Sequence, residues 1–121
     1  MNLDAKIKTQ NTKKQGLISF LVAKQKGENN FIGVCLTFNI VQEDNDPERL
    51  LRSLQESAKL HLETVLEKNL PDELLNRPAP KKYWKIYFES KEMIRKEKEM
   101  ALTTSIPYPD FVDALSANSV C

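Results

Sequence analysis

The hydrophobic positions of this chain change their period twice. From Leu17 to Gln25 they run almost unbroken through Phe20, Leu21, Val22 and Ala23, the pattern of a strand covered on both faces. Between Phe31 and Glu43, the residues Phe31, Ile32, Val34, Leu36, Phe38, Ile40 and Val41 form a β-branched and aromatic run with period-2 alternation. Gly33 and Asn39 interrupt it. A glycine inside a strand marks a bulge or a close backbone approach, and asparagine tolerates turn geometry. The run is therefore expected to bend once, into strands at 31–36 and 38–43. Lys26-Gly27-Glu28-Asn29-Asn30 supplies the hairpin turn before it.

The period then lengthens to that of a helix over 47–68. Asp46 is placed to accept backbone N–H bonds as an N-cap, Pro47 takes the first helical position, where its missing donor costs nothing, and Glu48 complements the helix dipole. At ~100° per residue, Leu50, Leu51, Leu54, Ala58, Leu62, Val65 and Leu66 share one arc, with Arg52, Glu56, Lys59, Glu63 and Glu67 opposite. His61 falls between Leu50 and Leu54, the position of a packed or half-buried structural histidine. Leu60 stands outside the arc, either a solitary exposed leucine or a subunit contact.

Asn69-Leu70-Pro71 stops the helix, and 71–75 forms one short helical turn before Pro78-Ala79-Pro80. Lys82 to Glu89 alternates again, with Trp84, Ile86 and Phe88 on one side and Tyr83, Lys85 and Tyr87 on the other, so a two-faced strand is expected at 82–89. Tyr83, Lys85 and Tyr87 then form an outward face for a partner. Ser90 to Leu102 is highly charged, with a narrow apolar stripe that includes Met93, Ile94 and Met100, and reads as a helix over 90–102. Beyond it, Tyr108, Phe111 and Leu115 sit in a proline-containing tail built to dock, on its own sheet or in a groove of another chain.

The fold class implied is α+β: an antiparallel sheet of three to four strands (17–25, 31–36, 38–43, 82–89), one main helix at 47–68 and a C-terminal helix at 90–102. Residues 1–16, with Lys6, Lys8, Lys13 and Lys14 and little apolar periodicity, read as a flexible basic tail, 17–89 as the domain, and 90–121 as helix and docking tail. A length of 121 residues allows a core without disulfides, and 40% hydrophobic residues fit an ordinary globular chain. The formal charge of +1 argues neither for nucleic acid nor for a membrane surface. No apolar run reaches the ~20 residues of a bilayer span, which points to the cytoplasm.

The run Val34-Cys35-Leu36-Thr37-Phe38-Asn39-Ile40-Val41-Gln42, followed by acidic turn residues and by Glu48 to Leu62 with Leu50, Leu54, Glu56, Ala58 and Leu62, resembles the core of HicB-type antitoxins. The resemblance covers about 17–89. It implies a partial ribonuclease H-like arrangement of three strands, a helix and a further strand. It also implies a non-catalytic homodimer that neutralises a small, basic HicA-type RNA-cleaving toxin. Residues 31–70 carry seven acidic side chains against four basic ones, which suits such a partner.

Catalytic chemistry finds little support. Metal-dependent cleavage of RNA needs carboxylates converging on Mg²⁺, and neither 17–25 nor 31–42 contains Asp or Glu. Three scattered glycines make no phosphate loop. A Cys35/His61 pair is the one nucleophile–base combination, and a metal site lacks ligands. The expectation is a protein without catalytic residues, cofactor or metal. The region after Glu89 offers no second helix with a recognition face, so operator DNA binding is not supported. A stand-alone protein-binding adaptor or inhibitor is the alternative; an RNA-binding module using Tyr83, Lys85, Tyr87 and the basic tail is the third.

Overall fold

The β-branched runs form strands where their alternation places them: β1 (Leu17–Lys24), β2 (Phe31–Cys35) and β3 (Ile40–Asp44). A computed structural model describes residues 7, 10–24, 29–92 and 101–108. The three strands are followed by helix α1 (Pro47–Glu67), a 3₁₀ turn (Asp72–Leu75), helix α2 (Lys81–Glu92) and strand β4 (Ala101–Pro107). All pairings are antiparallel, in the order β3-β2-β1-β4. Asn39 turns the chain between β2 and β3 at φ 57°, in the left-handed region that asparagine tolerates. Gly33 stays in register, paired with Gln42 and Val22, and its role is close approach: a Cβ there would lie 2.6 Å from Leu54 Cδ1 and 2.8 Å from Leu50 Cγ.

Alternation divides the sheet into two apolar faces, and each takes a helix. Ile18, Phe20, Val22 and Cys35 pack under Leu50, Leu54, Ala58, Leu62 and Val65 of α1. Leu21, Ala23 and Val34, with Leu36, pack under Trp84 and Tyr87 of α2. Helix α1 begins as its sequence dictates, with Asp46 Oδ1 accepting from the N–H groups of Glu48 and Arg49 at 3.0 and 3.3 Å. It ends on Asn69 at φ 48°, where the N–H groups of Asn69 and Leu70 close back on Leu66 and Val65, asparagine standing where glycine is commoner.

The α+β class, the four-stranded antiparallel sheet, the main helix and a second helix match expectation, but two assignments exchange places. The strand expected at 82–89 is the helix α2, and the helix expected at 90–102 ends at Glu92, while 101–107 is the fourth strand. Residues 93–100, with Met93, Ile94 and Met100, lie outside the described residues. Trp84, Ile86 and Phe88 satisfy period 2, yet Trp84, Tyr87 and Phe88 satisfy a helical face equally well. The uncovered apolar face of β1 and β2 decides between them, because a helix laid across it buries Trp84 and Tyr87 together. Ile86 accordingly points outward, 37% exposed, and Leu66 of α1 is exposed as well.

Within the segment 1–16, expected to be a flexible basic tail, Gln10 to Gly16 meets the domain through Asn11. The Asn11 N–H donates to Asn76 Oδ1 at 2.7 Å, its Nδ2 donates to the carbonyls of Leu17 and Leu75, and Asn76 Nδ2 donates back to the Asn11 carbonyl. Residues 1–6, 8 and 9 lie outside the described residues, as does much of the turn before β2.

Candidate partner-binding surface

The aromatic candidates do not share a surface. Tyr87 is 4% exposed, and its hydroxyl shares a 2.7 Å hydrogen bond with Ser105 Oγ, which in turn bonds Ser19 Oγ at 2.8 Å, tying α2 to β4 and β1. Tyr83 is half-buried beside it with Lys82 Nζ 5.0 Å from its ring centre, whereas Lys85 is exposed on the outer side of α2. Tyr108 lies on the opposite side of the sheet, in the α1 core, its ring against Gly16 and its N–H donating to the Gly16 carbonyl at 3.2 Å. Burial, with the charge of Asp72, pushes its phenol up to about 12. Phe111 and Leu115 lie outside the described residues. The face expected from Tyr83, Lys85 and Tyr87 therefore does not form, and with it goes the base-stacking platform of the RNA-binding alternative.

The nucleophile–base idea fares no better. Cys35 is buried under α1, and desolvation pushes its thiol up to about 12, so a thiolate is not on hand near neutral pH. His61 is half-buried as its wheel position implied, with its ring 4.6 Å from that of Phe38 and Nε2 2.6 Å from the Leu74 carbonyl. It pins α1 to the 3₁₀ turn. Among the described residues, no three His, Cys, Asp or Glu side chains are grouped to hold a metal ion.

The surface that remains is divided by charge. From Glu43 through α1 the chain carries seven acidic residues against three basic ones. Asp44 is engaged by Arg49, whose Nε and Nη2 donate at 2.7 and 2.5 Å, and the guanidinium holds the Asp44 carboxyl down at about 2. Glu43, Asp46, Glu48, Glu56, Glu63 and Glu67 remain exposed. On the other layer, Lys81, Lys82 and Lys85 stand exposed on the first two turns of α2. The molecule thus offers an acidic α1 side and a basic α2 side.

No known family model, curated protein or solved structure matches this chain. Among the described residues, no helix is long and apolar enough to cross a membrane.

Two apolar side chains outside the aromatic candidates are also exposed. Val41 on β3 and Leu60 on α1 are 44% and 67% exposed. Leu60 was visible as a break in the apolar arc. Val41 carries no such signal, because its exposure follows from β3 lying at the sheet edge.

Proposed function

We propose that the protein is a non-catalytic binding protein of the HicB antitoxin kind, acting in the cytoplasm to neutralise a small basic RNA-cleaving toxin. The observation that carries this reading is the acidic α1 side of the sandwich, whose exposed carboxylates suit a basic partner in steering and in register. Three strands, a main helix and a later strand paired with β1 support this reading, although that strand falls at Ala101–Pro107, beyond the 17–89 span of the resemblance, and helix α2 stands where the further strand was expected. Fold alone does not specify function, so the partner decides.

The test is recovery of whatever co-purifies with the tagged full chain from its native host. The reading expects a small basic protein in fixed proportion that cleaves RNA once freed and falls silent when the chain is added back. A partner without ribonuclease activity would replace this reading with the adaptor, and the absence of any stoichiometric partner would overturn it.

A further inference from the structure

We propose that α2 is a lid: it opens as a unit about Pro80 while the sheet and α1 stay closed, and the charges on its first two turns set how often it does so. Up to Ala79 the chain is held to the sheet, the N–H groups of Arg77 and Ala79 donating to the carbonyls of Thr37 and Leu36 at 3.1 and 2.9 Å. Pro80 follows, exposed, and its carbonyl accepts the Tyr83 N–H at 3.0 Å in the first turn of the helix. Standing ahead of Lys81, it has no side-chain oxygen to cap that turn. A held segment that ends on a proline and leads into an uncapped helix places the hinge there.

The seat of α2 is the weaker of the two. Among the described residues, twelve buried side chains make up the cluster on the α1 face and seven the cluster on the α2 face. Trp84 is one of the seven, and its Nε1 is buried with no hydrogen-bond partner among the described residues. Enclosing a bare N–H opposes closure, and opening returns it to water. The Tyr87 hydroxyl bond to Ser105 Oγ at 2.7 Å is a tie that opening must break. What opening uncovers is the apolar strip of Leu21, Val34 and Leu36, on the face of the sheet opposite α1.

Charge works against closure as well. Lys81 and Lys82 occupy the first turn, where the helix dipole favours acids, and that turn holds none. Lys85 lies four residues from Lys81 and three from Lys82, so both pairings set like charges side by side on the helix surface. Glu89 gives Lys85 one partner of opposite sign, in the weaker order with lysine first. The closed helix concentrates these cations, and an open segment spreads them. Helix α1 has the reverse arrangement, with Asp46 as its cap and Glu48 in its first turn. The aromatic residues of α2 also give up little on leaving the helix, because their helix propensity is low.

Neighbouring positions on β2 test the proposal, since Val34 and Cys35 are both 0% exposed and lie under α2 and α1 respectively. In Cys121→Ser the thiol of Cys35 reports opening of the α1 layer; in Val34→Cys/Cys35→Ala/Cys121→Ser the thiol at position 34 reports opening of α2. With iodoacetamide in excess, no denaturant and matched urea midpoints, the thiol at position 34 is expected to react at least about tenfold faster than Cys35. Adding Lys81→Glu/Lys82→Glu to the second background supplies the missing acids and should slow that reaction at least about threefold. On the unaltered chain, native-state hydrogen exchange should release the amides of Lys85 to Phe88 before those of Leu54 to Leu62. Equal thiol rates, α2 amides that exchange together with those of α1, or a rate at position 34 that the charge reversal leaves unchanged would overturn the proposal.

Discussion

The two helical layers pack on opposite faces of the same sheet, five buried side chains of α1 on one and Trp84 and Tyr87 of α2 on the other, yet they are built by different rules. Helix α1 carries its own instructions: Asp46 at the cap, Pro47 behind it, a Leu50-Leu54-Ala58-Leu62-Val65 stripe and an asparagine stop. Helix α2 has no acidic residue in its first turn, opens with Lys81 and Lys82 at the positive end of its dipole, and is rich in aromatic residues of high strand propensity. It is helical because the second sheet face needs covering. Local signals suffice where they agree, and tertiary demand decides where they do not.

The comparison can be broken by removing each layer's central side chain. Trp84→Ala should cost about 3–5 kcal/mol and Leu54→Ala about 2–5 kcal/mol, each read from urea melts, because both leave large cavities. A much smaller loss from Trp84→Ala would mean that α2 contributes little to the fold. Next in size is Gly33→Ala, which forces Leu50 and Leu54 to shift and should cost about 1–3 kcal/mol by the overpacking rule; a neutral result would show that α1 rides more loosely than the contact distances say.

The polar ties come next. Tyr87→Phe removes the bond to Ser105 and Asp46→Ala removes the α1 cap, each worth about 1 kcal/mol in thermal or urea unfolding. Equal losses would show that α2 depends on its hydroxyl ladder as α1 depends on its cap. The smallest effect is electrostatic. Asp44 has its folded-state pKa depressed to about 2 by Arg49, so its contribution is complete above the ordinary carboxylate range of about 4 and fades as pH falls toward 2. Asp44→Asn should remove that share of the acid sensitivity, seen as a shallower loss of stability between about pH 5 and about pH 2.

How far the fold was legible follows the same division. Strands β1 to β3, the bend at Asn39, the start of α1 and the packed position of His61 could all be read, because periodicity, capping and composition point one way. At Lys82 to Glu89 the residues Tyr83, Trp84, Ile86, Tyr87 and Phe88 fit either period, and only the apolar partners on β1 and β2, distant in sequence, select the helix. Ala101 to Pro107 was hidden by the charged run before it, although Thr103, Thr104 and Ile106 are β-branched. The Asn11–Asn76 clasp joins residues 65 positions apart and leaves no local mark. Of the candidate site, Tyr83, Lys85 and Tyr87 rested on the strand that does not form, while the acidic count around α1 needed only the sequence.

The most direct test of the binding account uses the charge division between the layers. If the proposed function holds, RNA cleavage by the basic partner recovered with the chain is titrated with wild-type chain, with a Glu56→Lys/Glu63→Lys variant on α1 and with a Lys82→Glu/Lys85→Glu variant on α2. Suppression at equal stoichiometry by wild type and by the α2 variant, with at least a tenfold weaker effect from the α1 variant at unchanged thermal midpoint, is the expected result. Equal potency of all three, or loss through the α2 variant alone, would contradict it.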